Sequence, residues 1–128
     1  MRQYLWIVLL LAYATGIAVL SHQPLTGVAT GVSHLDKLFH FAEFAVFMFL
    51  AWEATGKRWG LALAISLVYA ASDELHQAFV PSRDASGWDL LADSLGILFM
   101  GWVLRANGGL WHSLHRLILG RNRQKEGD

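Results

Sequence analysis

The chain has 128 residues, ten Lys and Arg against ten Asp and Glu for a formal net charge of zero, with 55% hydrophobic and 16% charged residues and a mean hydropathy of +0.38. Soluble chains average roughly 25% charged residues, so this shortfall points to lipid as the solvent and excludes disorder, a basic nucleic-acid binder and a low-complexity chain. The absence of cysteine excludes disulfides, thiolate metal sites and a Cys nucleophile, leaving carboxylates, histidines, hydroxyls and basic side chains for any chemistry.

The first element is an uncharged run over 4–20, YLWIVLLLAYATGIAVL, just long enough as a helix to cross a bilayer core at about 1.5 Å per residue. A signal peptide is the alternative for a run preceded by Arg2. The run is longer than an ordinary signal core of about 7–15 residues, and Ser21-His22-Gln23 offers no small-x-small cleavage site. Three more apolar segments follow, over 37–53, 59–77 and 88–104, each of helix length and each with ionisable residues toward one end. Thr55-Gly56-Lys57-Arg58 separates the second from the third, and the Val80 to Gly87 stretch separates the third from the fourth. The expectation is an all-α polytopic membrane protein, a four-transmembrane-helix bundle over 1–105. A soluble bundle fits poorly, because no segment has the wide polar face that water requires. After Asn107-Gly108-Gly109, the segment 110–119 puts Leu110, Trp111, Leu114, Leu117 and Ile118 on one face and predicts a short interfacial helix within a cytoplasmic segment 106–128. His112 and His115 fall on its polar face, and a disordered tail is expected over 121–128.

Orientation follows from the bases. With the N-terminus cytoplasmic, Arg2, Lys57, Arg58, Arg105, Arg116, Arg121, Arg123 and Lys125 lie inside, and only Lys37 and Arg83 outside. This asymmetry satisfies the positive-inside rule and predicts a multi-pass membrane protein with both termini cytoplasmic. Net charge then splits into +5 inside and −5 outside, the outer acids being Asp36, Glu43, Asp73, Glu74, Asp84, Asp89 and Asp93.

The polar residues therefore gather at the extracytoplasmic level. Asp36, His40 and Glu43 share one face of the second helix, Asp73, His76 and Gln77 one face of the third, and Asp89, Asp93 and Gly96 one stripe of the fourth. A charge near the centre of a membrane helix costs on the order of 2.5–3.5 kcal/mol even on the lenient scale, so this concentration needs a reason. Asp89 and Asp93, four apart and of like sign, require a proton, Lys37, Arg83 or a metal between them. Two readings stay open: a packing network in which Lys37 and Arg83 neutralise carboxylates, and a polar pocket open to the outer face.

Such a pocket fits three chemistries. Lys37 and Arg83 could hold a phosphate or other anion, with His40 or His76 as proton donor or nucleophile. A divalent metal could sit among His40, His76 and carboxylates from Asp36, Glu43, Asp73, Asp89 or Asp93, although no compact metal signature is present and no cofactor is expected. The third is binding without chemistry, gripping a cell-wall precursor, an antibiotic or a partner protein.

The runs Asp36-Lys37-Leu38-Phe39-His40-Phe41-Ala42-Glu43-Phe44, Ser72-Asp73-Glu74-Leu75-His76-Gln77-Ala78-Phe79-Val80-Pro81-Ser82-Arg83 and Asp89-Leu90-Leu91-Ala92-Asp93-Ser94-Leu95-Gly96 resemble the VanZ-like family of small bacterial membrane proteins, over residues 36–101. Phe44, Ser82 and Asp93 depart from the Tyr, Gly and Asn usual in that family. The resemblance implies a cell-envelope role, its founding member being associated with teicoplanin resistance, and implies no defined reaction.

Two function classes follow. In the first, an outer-face pocket lined by Lys37, Arg83, Gln77, Asp36, Glu43, Asp89 and Asp93 engages a lipid-linked or cell-wall ligand, with membrane lipid as neighbour and no nucleic acid. In the second, a membrane-embedded enzyme acts on a phosphorylated lipid with His40, His76, Asp73 and Glu74 as its catalytic groups. A proton-coupled transporter is a weaker third, because the cytoplasmic half is nearly bare of acids.

Overall fold

The computed structural model describes residues 2–22, 33–81 and 86–122, with backbone alone at 2, 33–34 and 108–122. Among the described residues there are four helices and no strand: α1 (Arg2–Ser21), α2 (Ser33–Ala54), α3 (Trp59–Gln77) and α4 (Gly87–Asn122). Two stretches, Gln3–Ser21 and Gly87–Asn107, are long and apolar enough to cross a membrane by length and composition.

Contacts between helices give the topology. Gln3 Nε2 donates to the Ala54 carbonyl at 3.3 Å and the Tyr13 hydroxyl to the Glu43 carbonyl at 3.2 Å, and Trp6 meets Phe49 edge-on, so α1 and α2 run antiparallel. Tyr69 donates its hydroxyl to the Ala14 carbonyl at 2.5 Å while Ser21 meets Asp73, so α1 and α3 run parallel. Likewise Lys37 meets Asp89 and His40 meets Asp93, so α2 and α4 run parallel. The chain is an up-down-up-down bundle.

α2 is the central element, and its longest interface is with α4. Its residues Phe44, Phe47, Met48 and Ala51 form the core with Ile17, Ala62, Ala70 and Ile97 from the other helices. Phe47 stacks on Tyr69 with ring centroids 4.6 Å apart. The α2–α4 interface depends on Gly96, where a Cβ would lie 2.1 Å from the Phe41 carbonyl oxygen; only a residue without a side chain permits this approach. Lower on α4, Trp59 Nε1 donates to the Gly101 carbonyl at 2.9 Å, tying α3 to α4.

The turn between α2 and α3 follows from Gly56. The Lys57 N–H reaches the Trp52 carbonyl and the Gly56 N–H the Glu53 carbonyl, a Schellman closure with Gly56 at φ +66. The expected third segment matches α3, whereas α2 begins four residues earlier than 37. The larger difference is at α4: the expected break at Gly108-Gly109 is absent, and 110–119 continues α4 rather than forming a separate short helix. Glycine inside a helix costs about 1 kcal/mol relative to alanine, a penalty that does not by itself end a helix whose flanks are good formers. The tail expected to be disordered begins inside α4 at 121–122, and 123–128 lies outside the described residues.

Candidate functional site

The bundle brings the end of α1, the start of α2, the end of α3 and the start of α4 to one level, and the polar side chains there sort into three sets. Between α2 and α4, the Lys37 ammonium pairs with Asp89 and lies 3.6 Å from Asp36, while His40 Nδ1 lies 3.0 Å from Asp93 Oδ1. The like-charged pair Asp89 and Asp93 is thus answered one base to each acid. Asp93 is 1% exposed, and the carboxylate fixes His40 with Nδ1 as the proton-bearing nitrogen.

Between α1 and α3, the Ser21 hydroxyl donates to Asp73 Oδ2 at 3.0 Å and Gln77 Nε2 donates to the same oxygen at 2.9 Å. Above them His22 Nδ1 and His76 Nε2 are hydrogen-bonded at 3.3 Å, both rings exposed. Between α3 and the start of α4, Glu74 Oε1 accepts the Ser86 N–H. Its other oxygen, Oε2, is buried and has no hydrogen-bond partner among the described residues.

A cavity of about 460 Å³ lies between α1 and α2. Its wall holds Asp36, His40 and Glu43 beside Ser21 and Gln77, and continues onto Tyr13, Leu20, Phe39, Ala42 and Val46. Asp36, His40 and Asp89 also present ligand atoms all within 4.8 Å of one another, a geometry that could hold a metal. The Lys37 ammonium stands on both carboxylates of that group.

Among the described residues, the sequence-predicted groups divide between the cavity wall and the sets beside it. Asp36, His40, Glu43 and Gln77 line the cavity; Lys37, Asp89 and Asp93 stand behind His40 as its ionic support. His76 is hydrogen-bonded to His22 and is not among the described residues lining the cavity, and Asp73 and Glu74 meet different neighbours. Arg83, expected to clamp an anion with Lys37, lies outside the described residues. Sequence reasoning missed Tyr13, Ser21 and His22. The signal for the last two was available: they close the apolar run of α1 at the level where the other helices turn polar.

Fold and site together define a small all-helical protein with a histidine–carboxylate cluster and a cavity at one end of an up-down bundle. The family model described as VanZ/LLP1 matches residues 4–108, and the chain belongs to that VanZ-like family. No curated protein and no solved structure was found to match it.

Proposed function

We propose that the chain spans the bacterial cytoplasmic membrane four times, with both termini in the cytoplasm, and that its cavity engages a lipid-linked or cell-wall ligand at the extracytoplasmic face. Two features support the membrane reading. Large apolar side chains are exposed on every helix, among them Leu5, Val8, Leu38, Val46, Val68, Leu98 and Trp102, while Asp73, Asp93, Ser66 and Gln77 are buried; this inverts the distribution water favours and suits lipid. The bases Lys57, Arg58 and Arg105 lie at the end opposite Asp36, Asp73, Asp89 and Asp93, as the positive-inside rule asks.

The observation that carries the ligand reading is the cavity wall, in which Asp36, His40 and Glu43 adjoin exposed Leu20, Phe39 and Val46. A wall that is polar at one end and apolar along its flank fits a molecule with a head and a hydrocarbon part. A cell-envelope role of the glycopeptide-resistance type accords with the family. The test is expression in a teicoplanin-sensitive bacterium. The parental chain shifts susceptibility, Ala42→Phe, which fills the cavity, loses the shift, and Leu98→Ala on the lipid side keeps it. Unchanged susceptibility with the parental chain would refute the resistance role.

The enzymatic reading has one observation in its favour. His40 lines the cavity and is oriented by Asp93, the arrangement that prepares an imidazole for acid–base work. Release of inorganic phosphate from a polyprenyl phosphate by the purified chain, abolished by His40→Gln, would establish it. Saturable binding without product would leave the protein a binder.

A further inference from the structure

His22 follows the last residue of α1, its N–H still bonded back to the Ala18 carbonyl at 3.1 Å, and His76 lies in the last turn of α3. The two helices run parallel, so both rings reach the same end of the bundle. There they are exposed and face each other, with His22 Nδ1 3.3 Å from His76 Nε2 and the ring planes 32° from parallel.

Buried bonds beneath the rings hold this spacing. Ser21, the neighbour of His22, donates to Asp73 Oδ2 at 3.0 Å; Gln77, the neighbour of His76, donates to the same oxygen at 2.9 Å and to Ser21 Oγ at 3.4 Å. Two turns further along, the Tyr69 hydroxyl on the Ala14 carbonyl fixes the same pair of helices.

The distance itself discriminates. A separation of 3.3 Å is longer than the about 2.7–3.2 Å usual for an N–H donor on oxygen, and a bond between two exposed rings competes with water and adds little to stability. Two imidazole nitrogens on one tetrahedral zinc, each at about 2.0–2.1 Å, stand about 3.3–3.4 Å apart. Two cis nitrogens of a square-planar ion at similar bond length stand only about 2.8–3.0 Å apart. The facing nitrogens therefore already sit at the edge of a zinc tetrahedron. Ligation by both asks only that the ring whose proton lies between them carry it on its remote nitrogen, His22 Nε2 or His76 Nδ1; this is a change of tautomer, and both rings stay neutral.

We propose that His22 and His76 bind one zinc ion, through Nδ1 and Nε2 respectively, and that the ion links the ends of α1 and α3 while leaving two positions for water or another donor. This pair differs from the metal set expected among His40, His76 and carboxylates, and it stands independently of the ligand and membrane readings above.

The test is a calorimetric zinc titration of the full, tag-free, metal-stripped chain in detergent, with thermal unfolding followed in parallel. One zinc per chain is expected, and zinc at about a hundred times its Kd should raise the folded-to-unfolded ratio by up to about a hundredfold, reversibly with EDTA. Cobalt(II) should bind in its place with the intense visible absorption of a tetrahedral ion. His22→Ala and His76→Gln should each weaken zinc binding by more than about tenfold, since loss of a mere outer-shell partner already costs about 10–100-fold. Glutamine keeps a hydrogen-bonding group opposite His22, so a pair that serves only as a hydrogen bond would not separate the two proteins. Both side chains are exposed, and circular dichroism should show parental helicity in each variant. His112→Gln with His115→Gln, which removes the pair three residues apart in α4, should leave zinc binding at the parental level. No saturable binding by the parental chain would overturn the site. Binding kept by either single variant, or an octahedral cobalt spectrum, would overturn the pair as its ligands.

Discussion

His40 and Asp93 are the residues on which the α2–α4 end depends. Asp93 is 1% exposed and His40 is its described partner at 3.0 Å. Deleting one member of such a pair strands a buried charge, whereas replacing both by apolar groups is often neutral. His40→Ala should therefore lower unfolding free energy in detergent by about 3–5 kcal/mol, and the double replacement His40→Leu with Asp93→Leu should recover most of it. By contrast, Lys57 and Glu53 are 3.9 Å apart with the Lys57 side chain largely exposed, and Lys57→Ala should change stability by less than about 1 kcal/mol. Denaturant titrations of the three variants check both expectations. The faces were legible in the sequence: Asp36, His40 and Glu43 share a stripe because helical spacing demands it, and Asp89 with Asp93 required cations. Most partners were not, apart from Lys37, which stood among the groups expected beside Asp89. Spacing within a helix fixes which way a side chain points and says nothing about which neighbour it meets, so His40 with Asp93, His76 with His22 and Ser21 with Asp73 became visible only in three dimensions.

At the scale of helices, the closeness of α2 and α4 is set at Gly96. Gly96→Ala improves intrinsic helix propensity by about 1 kcal/mol, yet its Cβ would fall 2.1 Å from a backbone oxygen that cannot rotate away. The net outcome expected is destabilisation by about 1–3 kcal/mol, seen as a lower melting temperature, together with loosening of the Lys37–Asp89 and His40–Asp93 pairs that the same interface holds in register. Gly16 has open space around it, and Gly16→Ala serves as the neutral or stabilising control. Trp59→Phe removes the bond to the Gly101 carbonyl and should cost about 1 kcal/mol without touching the polar end. Helix positions were readable from apolar runs and from the glycine turn at Gly56. The length of α4 was not, because a Gly-Gly pair was weighed as a stop although helical neighbours on both sides carry the element through it.

For the whole molecule, the membrane reading predicts two sides. The natural chain has no cysteine, so single cysteines report cleanly: His22→Cys, at the exposed polar end, should react with a membrane-impermeant maleimide in intact cells, and Lys57→Cys only after the cells are opened. The reverse pattern would invert the bundle and move the cavity to the cytoplasm. A further consequence belongs to α4 as a rigid body. Gly96 pressed against Phe41 acts as a pivot, with about 13 Å of helix on the side of the ion pairs and about 39 Å on the other at 1.5 Å per residue. Mechanically the helix is a lever of ratio near three. If α4 turned as a rigid body about Gly96, a displacement of about 1 Å at Asp89, seven residues from the pivot, would swing the backbone at Asn122, twenty-six residues away, by about 4 Å.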